Sequence, residues 1–267
     1  MSNEMDQDES DTETLPDVVP RRRGIYLLPN LFTTAGLFAG FYAIVASMSG
    51  RYTAAAIAIY VAMIMDMLDG RVARLTNTQS DFGKEYDSLA DMASFGLAPA
   101  LVAYEWALSK MGSLGWVWAK LGWLAAFIYA AGAALRLARF NSRHDTADKR
   151  YFQGLASPAA AALVAGLVWV CDDLDIKGTQ MLWPTFVFTL AAGGLMVSNV
   201  RYHSFKDIDL RNRVPFFVML LVVLVFVFTS IDPPKVLFTV ALVYALSGPV
   251  QGILRLRKVR AARNVQH

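Results

Sequence analysis

Four aspartates, Asp66, Asp69, Asp87 and Asp91, interrupt an otherwise apolar part of the chain. The first two lie in Met65-Asp66-Met67-Leu68-Asp69-Gly70-Arg71-Val72-Ala73-Arg74, and the others follow a short polar turn, in Gly83-Lys84-Glu85-Tyr86-Asp87-Ser88-Leu89-Ala90-Asp91. An ionisable residue in a membrane segment costs about 2.5 to 3.5 kcal/mol on insertion scales, so such residues usually serve a function. At 3.6 residues per turn Asp66 and Asp69 share one helix face, as do Asp87 and Asp91. The second segment opens a helix just after the turn that ends the first, so both pairs lie near one boundary and can converge. Converging carboxylates repel one another unless cations neutralise them. Oxygen-only donors suit the hard divalent ions Mg²⁺ and Mn²⁺. Two such ions about 3.5 to 4 Å apart form the clamp used in phosphoryl transfer.

Gly70 and Ala73 lie on the face that carries Asp66 and Asp69, where small side chains let a bulky phosphorylated group approach the backbone. Arg74, one turn past Gly70, can pair with a phosphate. Taken singly, these are a packing glycine, a packing alanine and a snorkelling arginine. Together with the aspartates they spell Asp-x-x-Asp-Gly-x-x-Ala-Arg, then eight residues, then Gly-x-x-x-Asp-x-x-x-Asp. That pattern resembles the signature of the CDP-alcohol phosphatidyltransferase family at all eight positions. The resemblance implies an integral membrane enzyme that moves a phosphatidyl group from a CDP-linked lipid to an alcohol and releases CMP. It also implies that Asp66, Asp69, Asp87 and Asp91 bind two metal ions, that Asp91 doubles as general base, and that Gly70, Ala73, Arg74 and Gly83 line the CDP pocket.

Further stretches bear on the alcohol. Asp87 to Ala100, Pro29-Asn30-x-x-Thr33, Arg136-Leu137-Ala138-Arg139-Phe140-Asn141, Gly154-Leu155-Ala156-Ser157-Pro158 and Ser204-Phe205-Lys206 resemble the bacterial branch of the family that uses serine. Ala156 departs from that pattern, which usually has proline there. The implied substrates are CDP-diacylglycerol and L-serine, and the implied product is phosphatidylserine. Serine brings a carboxylate and the CDP-lipid a pyrophosphate, both anionic groups that bidentate arginine contacts suit. Arg136 and Arg139, spaced i and i+3 at a helix end, are the candidate anion site. Arg143, Lys149 and Arg150 read instead as topology-setting residues near headgroups. Asn30 and Thr33 either contact the cytidine end or cap the first helix; the resemblance favours the contact. The alternatives are the same family with glycerol 3-phosphate, inositol phosphate or choline as acceptor, an ion or proton transporter, and a non-catalytic scaffold. Transporters tend to hold their acids near the bilayer midplane, whereas these lie at one boundary, and a scaffold has no need of all four.

The elements that must position these residues follow from composition. The chain has 267 residues, 55% hydrophobic and 18% charged, against roughly 25% charged in soluble domains. Apolar runs of about the roughly 20 residues that cross a bilayer core recur at 31–48, 53–72, 85–107, 119–138, 156–172, 181–199, 214–231 and 235–254. The expected fold is therefore an all-α bundle of about eight transmembrane helices. The run at 85–107 is the least apparent by hydropathy, but lysine and arginine require it. With eight crossings, 20 of the 25 basic residues fall on one side, which the positive-inside rule makes the cytosol. Both termini and the aspartates then face the cytoplasm, in the cell (inner) membrane. Trp106, Trp116, Trp118 and Trp183 lie near expected helix ends, where interfacial aromatics gather.

Residues 1–20 hold seven acids and no lysine or arginine, which reads as a disordered acidic tail rather than a signal peptide. Residues 21–267 form the expected membrane domain. Without the tail's acids the rest of the chain carries +10, which suits anionic lipid headgroups as neighbours. No nucleic acid is expected as a partner. The resemblance implies a homodimer. Cys171 has no second cysteine to pair with, and His144, His203 and His267 match no zinc-ligand spacing.

Overall fold

In lipid a backbone can satisfy its own hydrogen bonds only within a helix or a closed barrel, and the long alanine-, leucine- and valine-rich runs of this chain take the first course. The computed structural model describes residues 27–264 apart from 77, 79, 143–150 and 204–215. The expected acidic tail lies outside the described residues, as do Arg143, Lys149, Arg150 and the Ser204-Phe205-Lys206 stretch.

Helix α1 (Leu27–Met48) is followed by α2 (Tyr52–Leu75), α3 (Asp81–Asp91), a π-helical turn (Met92–Leu97), α4 (Ala98–Trp106) and a 3₁₀ turn (Leu108–Leu114). Then come α5 (Trp116–Asn141), strand β1 (Tyr151–Gln153), α6 (Ser157–Asp173), a 3₁₀ turn (Gly178–Gln180), α7 (Leu182–Val197), β2 (Arg201–His203), α8 (Phe216–Ile231) and α9 (Pro233–Asn264). Four helical stretches among the described residues are long and apolar enough to cross a bilayer: Pro29–Met48, Tyr52–Leu75, Trp116–Asn141 and Pro233–Gly252. The chain is thus a helical membrane protein. Helices α6, α7 and α8 occupy the remaining apolar runs with 17, 16 and 16 residues, a little under the roughly 20 that span about 30 Å. The run at 85–107 is divided, its first half α3 and its second α4.

Small residues set how closely the helices pack, as they do wherever lipid offers no hydrophobic drive to association. The buried face of α2 is Ala55, Ala56, Ala58, Ile59 and Ala62, and that of α1 includes Ala39, Ala43 and Ala46. Where α5 crosses α7, a Cβ added to Gly132 would lie 2.7 Å from the carbonyl oxygen of Gly193, so neither helix could carry a larger residue there. Polar bonds add to this packing. The Tyr60 hydroxyl donates to the Ala162 carbonyl at 2.9 Å, joining α2 to α6. At the other end of α2 from the aspartates, Asp172 of α6 accepts from the Thr53 amide at 3.0 Å and the Thr53 hydroxyl at 2.6 Å, satisfying one of the amides that the helix start leaves orphaned.

The two short strands pair antiparallel, with Tyr151 opposite His203, Phe152 opposite Tyr202 and Gln153 opposite Arg201. Gly154 turns the chain from β1 toward α6 at φ +82°, and a Cβ there would sit 2.2 Å from the Met196 carbonyl oxygen. Only glycine fits.

Candidate active site

Helices α2 and α3 bring their carboxylates together. Asp69 is 5% exposed, while Asp66, Asp87 and Asp91 are half-buried. One carboxylate oxygen from each of Asp66, Asp69 and Asp87 lies within 4.8 Å of the others. Asp91, one turn past Asp87, faces the same space as Asp66. All four line a narrow space of about 10 Å³, with Thr33 of α1 and Ser94 of the π turn completing its wall. That volume is on the scale of one water molecule or ion.

The local structure explains why these residues meet. Ser80 caps α3, its side chain accepting from the Gly83 amide at 3.0 Å, which starts the helix at Asp81, nearly two turns before Asp87. Tyr86 of α3 shares a hydrogen bond of 2.9 Å with Thr34 of α1. Asn141, the last residue of α5, donates to the Ser88 hydroxyl at 3.0 Å. The Thr33 hydroxyl donates to Asp69 at 2.7 Å, fixing the orientation of one carboxylate. Helix α3 is therefore held from both sides, and its Asp87 and Asp91 share one space with Asp66 and Asp69 of α2.

The donor set fits a divalent cation. It is all oxygen, it concentrates negative charge in one partly buried place, and no lysine or arginine among the described residues forms an ion pair with it. Among the described residues the ion pairs are Lys84 with Asp81 and Lys235 with Asp232, neither within the cluster. Arg136 of α5 lies close enough to Asp91 to interact electrostatically. The group of Asp66, Asp69 and Asp87 could hold a metal ion.

Beside this cluster opens a cleft of about 480 Å³, walled by Asn30, Thr33, Asp69, Gly70, Ala73, Arg74, Gly83 and Asp87, within the size range of small-molecule sites. The sequence signals of helices α1, α2 and α3 thus converge on one space. A Cβ added to Gly70 would meet nothing within 4 Å, so its missing side chain leaves the cleft open rather than admitting a neighbouring helix. Arg74 donates from Nε to the Gly70 carbonyl at 2.8 Å, holding the guanidinium against the same wall. Pro29, Thr78, Ser80, Lys84 and Phe140 also line the cleft. Of these, Thr78, Ser80 and Lys84 carry no site signal of their own in the sequence, since a polar turn looks alike whether or not it faces a ligand, and Phe140 belongs to a family-like stretch without being singled out by it.

The two arginines at the end of α5 diverge. Arg136 points inward, donating to the Ser157 hydroxyl at 2.9 Å, and its buried Nε has no hydrogen-bond partner among the described residues. Arg139 turns to the β-ribbon, donating to the Gln153 side chain at 2.6 Å, to Asn199 at 2.7 Å and to the Val197 carbonyl at 3.5 Å. The structure therefore brings Arg136, not Arg139, toward the aspartates.

Known proteins share this sequence over most of its length. The sequence profile of the CDP-alcohol phosphatidyltransferase family matches residues 26–205, which include all four aspartates and every cleft residue named above. A Helicobacter pylori protein named CDP-diacylglycerol–serine O-phosphatidyltransferase is 36% identical over 246 residues, covering 90% of this chain and 97% of its own. Proteins of the same name from Mycobacterium bovis and Saccharomyces cerevisiae are 40% identical over 186 residues (67% of this chain and 62% of the relative) and 38% identical over 146 (49% and 50%).

Proposed function

The chain belongs to the CDP-alcohol phosphatidyltransferase family, and on that premise we propose that it transfers the phosphatidyl group of CDP-diacylglycerol to the hydroxyl of L-serine, giving phosphatidylserine and CMP. The observation that carries this reading is the convergence of the aspartate pairs of α2 and α3 beside a cleft large enough for a nucleotide. The serine acceptor rests on the relatives named for it, above all the one matched along nearly its whole length.

Asp66, Asp69, Asp87 and Asp91 would hold two divalent ions, Mg²⁺ or Mn²⁺, which when bound would supply positive charge to the substrate pyrophosphate. The nucleotide occupies the cleft, where Gly70 and Ala73 leave room for it, Arg74 pairs with its phosphates, and Asn30, Thr33 and Gly83 close the wall. Asp91 accepts the hydroxyl proton of serine. The serine oxygen then forms a bond to the lipid-side phosphorus, and the bond from that phosphorus to the bridging oxygen breaks. The bridging oxygen leaves on CMP with the electron pair. Arg136 receives the serine carboxylate through its unpaired donors. Arg139, occupied by Gln153 and Asn199, supports the anion site by fixing the end of α5.

All eight apolar runs cross the inner membrane in this reading, residues 21–267 form one membrane domain, both termini and the site face the cytoplasm, and the acidic stretch 1–20 is a disordered tail. The enzyme works as a homodimer among anionic lipids. The test is CMP release from CDP-diacylglycerol by the purified full-length protein in detergent with Mg²⁺ or Mn²⁺, offered serine, glycerol 3-phosphate, inositol phosphate or choline in turn. Release with serine is expected. Release with another alcohol and none with serine overturns the choice of acceptor, and none with any alcohol overturns the reaction.

A further inference from the structure

Phe140 is the one aromatic residue among those described as lining the cleft beside the aspartates. It is 59% exposed, an apolar ring in a wall otherwise built of small, polar and charged groups. Its position is nevertheless held from both sides. Arg139, just before it, bonds to Gln153 and Asn199, and Asn141, just after it, bonds to Ser88 of α3. The last turn of α5 is thus anchored to the β-ribbon and to the helix that carries Asp87 and Asp91. An exposed ring on an anchored backbone meets a ligand at little ordering cost, because the freedom it would lose is already restricted.

The ligand assigned to this cleft has one flat apolar surface, the pyrimidine ring. Its pyrophosphate and ribose are polar, and its acyl chains belong in lipid. We infer that Phe140 is the stacking platform for the cytosine base, in the same cleft as Asn30, whose contact with the cytidine end the family resemblance already implies. Asn30 lines the same cleft, and its carboxamide has no hydrogen-bond partner among the described residues. A carboxamide offers a donor and an acceptor together, matching the amino group and ring nitrogen of cytosine. This inference rests on the proposed nucleotide site, and adds to it the residue that distinguishes a nucleotide from a bare pyrophosphate.

The test measures binding of CDP and of inorganic pyrophosphate to the full-length protein in detergent with Mn²⁺, for wild type, Phe140→Leu and Phe140→Trp. Removing an aromatic platform should weaken CDP by about tenfold or more and leave pyrophosphate unchanged. Phe140→Trp should bind CDP at least as well as wild type, and its added indole emission should be quenched by CDP beyond any change in wild type. The inference is overturned if Phe140→Leu binds CDP like wild type, if it loses both ligands equally, or if the added indole shows no quenching. Failure of the wild-type protein to bind CDP at all is a different result, because it removes the nucleotide site itself.

Discussion

Tyr129 of α5 donates its hydroxyl hydrogen to the main-chain carbonyl of Phe95 at 3.0 Å, inside the π-helical turn that begins immediately after Asp91. In an α-helix that carbonyl would accept from the amide of residue 99, but residue 99 is proline and has none. The hydroxyl donates to it from a neighbouring helix, and the Tyr129 ring is fully buried. The same turn is tied to α1, where the Ser94 hydroxyl donates to the Gly36 carbonyl at 3.1 Å. Two helices therefore fix the backbone on which Asp91 sits, at the kind of helical irregularity often found near functional sites.

Tyr129→Phe should separate that bond from the packing of the ring. The Phe95 carbonyl would be left buried without its donor, which costs about 1 to 3 kcal/mol and lowers the unfolding midpoint by several degrees. Because the turn positions Asp91, kcat should fall while KM for both substrates changes little. Thermal unfolding and initial rates on one preparation check both, and an unchanged midpoint would show that the carbonyl finds another donor.

Asp91→Asn tests the assignment of the base. The amide keeps the shape of the side chain but cannot take a proton from serine. Turnover should drop by at least the 10² or so attributed to a positioned base, with CDP binding largely retained. A variant that turns over at the wild-type rate removes Asp91 from the proton transfer.

Two glycines predict opposite outcomes for the same substitution. In Gly40→Ala the new Cβ would lie 2.4 Å from the Ser94 hydroxyl oxygen and 2.7 Å from its Cα, so α1 and the π turn must move apart and stability must fall. In Gly70→Ala the Cβ meets nothing, and the gain in helix propensity is about 0.5 to 1 kcal/mol. That protein should be as stable as wild type or more so, yet bind CDP-diacylglycerol more weakly, because its methyl group projects into the cleft. Parallel melting curves and substrate titrations decide the matter; unchanged CDP-lipid affinity in Gly70→Ala would mean the ligand does not approach that wall.

The carboxylate cluster also makes the free protein responsive to metal. A cation that binds the folded state alone raises stability by about 2.7 kcal/mol at a hundred times its dissociation constant. Mn²⁺ or Mg²⁺ added to chelator-treated protein, with no substrate present, should therefore raise the unfolding midpoint. The rise should be lost in a variant carrying both Asp66→Asn and Asp69→Asn. An equal rise in that variant would place the ion elsewhere.

The aspartates and the cleft were legible in the sequence because their geometry is local. Asp66 and Asp69, Asp87 and Asp91, and Gly70 and Ala73 are related by helix periodicity, and one short turn joins the two segments. The divided helix at 85–107 was not legible, since the π turn depends on Pro99 together with Tyr129 some thirty residues later. The strands β1 and β2, three residues each, are too short to leave a periodic signal and depend on α6 and α7 bringing their ends together. Helix α9 runs to Asn264 rather than stopping near 254, because the basic stretch that ends the apolar run is itself rich in good helix formers. Arg136 and Arg139 looked equivalent at spacing i and i+3; what separates them is the β-ribbon that captures one.

That separation yields the last prediction. Arg136 keeps a buried, unpartnered Nε beside the Ser157 hydroxyl and near Asp91, the arrangement of a guanidinium waiting for a carboxylate. A lysine at this position preserves the charge but loses the two-pronged geometry that matches a carboxylate. Arg136→Lys should therefore raise KM for serine by about tenfold, the scale of one charge-assisted hydrogen bond, and leave KM for CDP-diacylglycerol nearly unchanged. Arg139→Lys removes bonds to Gln153 and Asn199, so its main effect should be a lower unfolding midpoint with little change in KM for serine. Serine titrations at saturating CDP-diacylglycerol, run beside melting curves, distinguish the two roles. If KM for serine rises in Arg139→Lys and not in Arg136→Lys, the acceptor lies toward the β-ribbon and the roles of the two arginines are exchanged.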